Sequence, residues 1–163
     1  LAMDAAELAL VVLMIQFIAL PGAIAVAWLG DHIGQKAALH LCLAVWVALL
    51  GSAFFVNTKA EFWIMSASAA LVLGGTQSVS RAMMGLMTPE AHTGEFFGFF
   101  NLSGKATSMF GPVVYSTVFY TTQSAHIAIA SLLVFFLIGW AIVSRVNVEA
   151  GRRQALASNS DGH

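Results

Sequence analysis

Charge is what this 163-residue sequence has least of: seven Lys and Arg and eight Asp and Glu make up 9% of the chain. Soluble domains carry about 25%. With 59% hydrophobic residues and a mean hydropathy of +0.83, the chain reads as an integral membrane protein. A formal net charge of −1 leaves no basic surface for nucleic acid, so none is expected as a partner. A single cysteine, Cys42, excludes an internal disulfide and a cysteine-based zinc site. The five histidines have no metal-ligand spacing, so no metal and no cofactor is expected. No Gly-x-Ser-x-Gly or His-Glu-x-x-His run occurs, and nothing supports an enzyme. The start, LAMDAAELAL, has neither a basic n-region nor a small-residue cleavage site, and no initiating methionine. It reads as a piece of a longer protein.

What is abundant is apolar length. Five stretches reach the roughly 20 residues needed to cross a bilayer: 5–29, 37–56, 62–87, 96–121 and 125–146. Short polar connections (GDHIGQK, NTKAE, TPEAHTGE and TQS) separate them. Residues 147–163 follow as a hydrophilic tail, disordered at its end. Lys36, Arg145, Arg152 and Arg153 fall on one side, with Arg81 leaning that way, and Lys59 alone on the other. The positive-inside rule then makes the C-terminus cytoplasmic and leaves Asp4 and Glu7 outside. Trp28 and Trp140 near inner ends and Trp63 at an outer end suit the interfaces, while Trp46 lies deeper as packing.

The five spans differ in chemistry. The second and fifth are nearly blank and suit positions facing lipid. The first carries Gln16 at mid-depth and then Pro21-Gly22, read as a kink or break. The third carries Ser66, Ala70, Gly74, Gln77, Arg81 and Gly85 on one face. The fourth is the centre of the argument. Gly94, Gly98, Asn101, Lys105, Ser108, Pro112 and Tyr115 alternate at steps of four and three, which puts them on one helical face. Lys105 lies about 15 Å past Glu95 at ~1.5 Å per residue, near the middle of a hydrocarbon core of about 30 Å. A charge there costs on the order of 2.5–3.5 kcal/mol, so it must face protein or water.

The role of each residue has a plain alternative. Lys105 either binds an anionic group of a solute or pairs with a structural carboxylate elsewhere in the protein. Asn101, one turn away, either shares that ligand or fills a helix contact. Arg81 either joins Lys105 in a positive cavity or pairs with Glu95 or Glu90 as an inner gate, the reading favoured here. Gln77 and Gln16 either bond a solute or bridge helices, and Ser108 adds a hydroxyl to the stripe. Gly94, Gly98, Gly74 and Gly85 read as close-packing positions. Pro112 is expected to bend its helix. Gly98 and Gly104 have five residues between them and Ala106 follows Lys105, so this is no phosphate-binding loop. The letters of a glycosylation sequon at Asn101-Leu102-Ser103 lie at membrane depth.

The run from Gly74 to Pro112 resembles the tenth and eleventh helices of the major facilitator superfamily, in its vacuole-effluxer-like branch. The resemblance rests on Gly74–Ser78 (GGTQS), Ser80-Arg81, Glu95–Gly98 (EFFG), Ser103–Lys105 (SGK) and Gly111-Pro112. It implies an all-α membrane fold, with these five spans as the eighth to twelfth helices of a twelve-helix carrier. The eighth, tenth and eleventh would line a cavity. Asp31, Gly34 and Lys36 resemble part of the superfamily's Asp-Arg-x-Gly-x-Lys gating loop, with His32 in place of a basic residue and Ala27 where glycine is usual. The branch includes yeast vacuolar amino-acid exporters, which implies alternating-access transport of an amino acid or another carboxylate-bearing solute. Lys105, Arg81, Asn101, Gln77, Ser108 and Gln16 would be its ligands, and Asp31, Gly34, Lys36 and Glu95 its gates. The implied partners are the lipid bilayer, a small polar solute and the missing N-terminal half; the implied location is a bacterial inner membrane. The competing reading is a five-span membrane scaffold or assembly subunit whose polar stripes are packing contacts.

Overall fold

The computed structural model describes residues 4–160, and among them every regular element is helical. Seven α-helices follow in order: α1 (Ala5–Ile33), α2 (Gln35–Ser52), α3 (Lys59–Leu86), α4 (Thr93–Ser108), α5 (Phe110–Thr122), α6 (Ala125–Arg145) and α7 (Val148–Ser160). Single turns of 3-10 helix, Ala53–Phe55 and Glu90–His92, sit before α3 and α4. Residues up to Ser80 form one compact unit and those from Arg81 another, the boundary falling within α3. The expected all-α membrane architecture is the observed one. Four helical stretches are long and apolar enough to cross a bilayer: Ala5–Ile33, Gln35–Phe55, Lys59–Leu86 and His126–Arg145.

In the first unit α1 begins with a capping box. Asp4 Oδ1 accepts the Glu7 N–H at 2.7 Å, and Glu7 Oε2 accepts the Asp4 N–H at 3.2 Å. Pro21 lies inside α1 without breaking it. The helix also runs on through Gly30, Asp31, His32 and Ile33, so the expected seven-residue connection shrinks to Gly34. The cause is local. The His32 Nδ1–H donates to the Trp28 carbonyl at 2.7 Å, and the Asp31 carboxylate accepts from Gln35 Nε2 at 3.1 Å, which ties the two sides of the corner together. Gly34 makes the turn at φ +91°, a conformation that a side chain would strain.

α1 and α3 approach so closely that glycine is required at the crossing. A Cβ on Gly74 would overlap the Ala19 carbonyl oxygen, and one on Gly22 would overlap that of Leu71. Gly75 lies against the Val26 side chain in the same way. Both helices start at the same end of the unit: Lys59 Nζ reaches Glu7 Oε1 and Oε2 at 2.8 and 2.7 Å. α2 is tied to α3 by Trp46 Nε1–H donating to Thr76 Oγ1 at 3.1 Å, while the Thr76 hydroxyl donates to the Val72 carbonyl. Trp46, expected only to pack, also makes this bond.

In the second unit the fourth expected span is two helices rather than one. α4 and α5 meet at Met109, whose backbone is still right-handed (φ −78°, ψ −26°), so the chain continues in nearly the same path while the hydrogen-bond ladder lapses. Pro112 explains the lapse: it has no N–H, so the Ser108 carbonyl loses its helical donor. Just before it, Thr107 and Ser108 turn their hydroxyls back onto the Ser103 and Lys105 carbonyls. With 16 and 13 residues, α4 and α5 together rise over about 40 Å, enough to cross. α5 packs on α6 after a tight turn in which Gln123 takes a left-handed conformation and donates its N–H to the Phe119 carbonyl.

The hydrophilic tail forms a helix through Ser160, and the disorder expected at its end concerns in part residues 161–163, outside the described residues. α7 docks on the connection between α3 and α4. Asn159 Oδ1 accepts the Glu90 N–H at 3.0 Å, and Gly151 lies against Met87. The end of α3 and the end of α6 therefore share one side, as the two crossings between them, α4–α5 and α6, require.

Candidate functional site

The candidate residues sit on three helices: Gln16 on α1, Gln77 and Arg81 on α3, and Asn101, Lys105 and Ser108 on α4. All six are exposed. Gln77 and Arg81 are one turn apart on the same face of a continuous helix, as the spacing predicts. Asn101, Lys105 and Ser108 likewise share one face of α4, with Lys105 in its last turn.

The α4 stripe ends at the lapse in the ladder. Lys105 therefore lies within one turn of the Ser108 carbonyl, a backbone acceptor that Pro112 leaves without a helical donor. The Lys105 ammonium and the Asn101 amide thus share one apolar helix with a carbonyl that Pro112 deprives of its helical donor, while the Ser108 hydroxyl is bonded to the Lys105 carbonyl. Such a set can hold a zwitterion: cationic and amide groups for a carboxylate, a carbonyl for an ammonium. Among the described residues, no carboxylate pairs with Lys105.

Every residue from Asn101 to Phe110 is exposed, the aromatic side of the helix as well as the polar one. Phe99, Leu102 and Met109 are 71%, 67% and 71% exposed. Gly94 and Gly98, expected as close-packing positions, have no neighbour within 4 Å of where a Cβ would stand, because nothing in the described chain covers that face of α4. Gly74 does pack closely, and Gly85 is in ordinary contact with Phe97.

The gating residues are placed as follows. Asp31 lies in the last turn of α1, Gly34 makes the corner and Lys36 is in the first turn of α2. Glu95 is exposed in the first turn of α4, where a carboxylate complements the helix dipole. No ion pair joins Arg81 to Glu95 or Glu90 in this structure; the Glu90 backbone is held by Asn159.

Three contributors escape a reading of the sequence alone. Gln35 folds its amide over Gly30, with Oε1 2.5 Å from where a Cβ would lie, and so locks the α1–α2 corner to Asp31. Glu7 and Lys59 form an ion pair 52 positions apart, foreshadowed only by their opposite charges at the same expected membrane face. A groove of about 380 Å³ opens between the end of α2 and the start of α3, lined by Leu49, Ser52, Phe55, Glu61, Ile64 and Met65.

Comparison with known proteins bears directly on this arrangement. The family described as "Vacuole effluxer Atg22 like" matches residues 1–156. An uncharacterized MFS-type transporter of Bacillus subtilis, YxiO, is 30% identical over 149 residues, covering 91% of this chain and 35% of that protein. Autophagy-related protein 22 of Kluyveromyces lactis is 28% identical over 97 residues, 60% of this chain and 20% of its own length. Its Saccharomyces cerevisiae counterpart is 25% identical over 104 residues, 64% and 20% respectively. The chain thus spans about a third or less of the curated relatives it matches. No solved structure matches it significantly. With its glycine-crossed α1–α3 pair, its interrupted α4–α5 span and its lysine stripe, the chain belongs to the vacuole effluxer Atg22-like family, within the major-facilitator-type transporters.

Proposed function

We propose that this chain is the C-terminal part of a carrier that moves a small polar solute across a membrane by alternating access. The single observation that carries the reading is the Asn101–Lys105–Ser108 stripe ending at the Pro112 interruption. A lysine on an apolar helix, beside a bare carbonyl, has no use to a lipid-facing surface and much use to a polar ligand. The preferred solute bears a carboxylate, an amino acid above all. Lys105 takes the carboxylate and Asn101 and Ser108 bond it, with Arg81 and Gln77 as further candidate ligands. Gln16 contributes a neutral amide from α1.

The N-terminal half of the same carrier would cover the exposed α4 face. This accounts for the openness of Gly94 and Gly98 and for the share of the relatives' length left unmatched. Asp31, Gly34 and Lys36 at the α1–α2 corner, with Glu95, serve as gate elements in this reading. The basic residues at the Arg145–Arg153 end favour a cytoplasmic C-terminus, and the Bacillus relative favours a bacterial inner membrane.

The test uses the complete carrier. Purified protein is subjected to thermal-shift measurements with amino acids, small carboxylates, sugars and amines, and then to uptake in proteoliposomes. Amino acids or carboxylates should raise the melting temperature, and Lys105→Ala should abolish both the shift and uptake while inserting normally. Undiminished uptake by Lys105→Ala would sink the role given to the lysine. A shift from sugars or amines alone would replace the solute class. A protein that responds to no solute and carries none would return the scaffold reading.

A further inference from the structure

α7 has two faces with different chemistry. Val148, Gly151, Ala155 and Asn159 recur at helical spacing and are half-buried or buried, Ala155 at 4% exposure. This face holds the α3–α4 connection through Met87 and Glu90. The adjoining face carries Glu149, Arg152, Arg153 and Leu156 at steps of three, one and three. Leu156 is 59% exposed between arginines. Glu149 pairs with Arg153 at 3.4 Å, both side chains at least 80% exposed, while Arg152 has no acidic partner among the described residues. Arg145, exposed at the end of α6, adds a third positive charge. Only Val146 and Asn147 separate the apolar α6 span from α7, so α7 begins where the hydrocarbon ends.

We infer that α7 is an interfacial helix that binds anionic phospholipid headgroups through Arg152 and Arg153, with Leu156 at the acyl boundary, while its other face holds the α3–α4 connection. The arrangement has the parts such a helix needs: excess positive charge, an apolar residue among the cations, and an anchor span that delivers it to the headgroup level. Binding at the outer face adds a reason for α7 to stay folded and docked, so the 87–92 connection becomes steadier when the adjacent leaflet is acidic. This rests on α6 crossing the membrane, not on the transport reading.

The experiment is hydrogen exchange of the complete protein in vesicles of phosphatidylcholine alone and in vesicles with roughly one phosphatidylglycerol in three lipids. Arginine near an anionic surface is worth about a fivefold factor. Because Glu149 occupies Arg153, a slowing of about fivefold at residues 148–160, and a smaller one at 87–92, is expected. The variant R152Q/R153Q should lose this slowing while α6 exchanges as before. The variant N159A should speed exchange at Glu90 in both vesicles and keep the slowing of α7. Equal exchange in the two vesicle types, or a slowing that survives R152Q/R153Q, overturns the inference. Equal protection by inorganic phosphate added to phosphatidylcholine vesicles would replace the lipid with a soluble anion and overturn it too.

Discussion

Replacing Gly74 by alanine adds one methyl group at a point where two helix backbones touch. That methyl would overlap the Ala19 carbonyl oxygen and stand 2.8 Å from the Ala19 carbonyl carbon and 3.1 Å from the Ala23 nitrogen. A flexible side chain could swing aside; these are backbone atoms within α1, and α1 itself must retreat. The retreat would also open the Gly22–Leu71 and Gly75–Val26 contacts, which share the crossing. Overpacking of this kind costs about 1–3 kcal/mol when side chains yield, and more when they cannot. We expect Gly74→Ala to cost about 3 kcal/mol, against a gain of up to about 1 kcal/mol from alanine's better helix propensity. Gly51→Ala is the control, since nothing lies within 4 Å of its Cβ position. It should be neutral or slightly stabilising. The assay is reversible unfolding in mixed detergent micelles followed by tryptophan fluorescence. A Gly74→Ala protein within about 0.5 kcal/mol of the parent would refute the close crossing and the role assigned to glycine there.

Three further outcomes follow from particular contacts. Lys59→Ala removes the ion pair with Glu7, whose side chains are 48% and 34% exposed, and should cost no more than about 1 kcal/mol, less at high salt; denaturation at two salt concentrations checks it. Trp46→Phe deletes the donor to Thr76 while leaving that hydroxyl bonded to Val72, so the loss should be near 1 kcal/mol in the same unfolding assay, and a much larger loss would mean the indole packs more than it bonds. Pro112→Ala supplies the missing N–H to the Ser108 carbonyl; amides around Met109 should exchange more slowly, and uptake by the complete carrier should fall if the bare carbonyl serves the solute. Uptake unchanged with slowed exchange would separate the interruption from function.

Much was legible before any coordinates. Hydropathy and the rarity of charge determine a membrane protein, because no soluble core absorbs this much apolar surface, and Phe17 remains 78% exposed on α1. The steps of four and three from Gly94 to Ser108 determine a single polar face, because 3.6 residues per turn leaves no other place for them. Pro112 reads from the sequence as a bend in one span, since proline lacks the helical donor; the structure turns that bend into a meeting of two helices at Met109.

Other features depend on which groups meet in space, which a one-dimensional pattern does not encode. Gly74 and Gly94 look alike as small residues on helix faces, yet a Cβ on one would meet a backbone and a Cβ on the other would meet nothing within 4 Å among the described residues. The corner at Gly34 reads from its polar letters as a seven-residue connection; the His32–Trp28 and Asp31–Gln35 bonds let the helices run almost to meet. The tail reads from its letters as hydrophilic and disordered at its end, because a thirteen-residue segment is too short to hold a helix by itself in water. Only the docking of Gly151 on Met87, and of Asn159 on the Glu90 N–H, supplies the tertiary contact that decides otherwise.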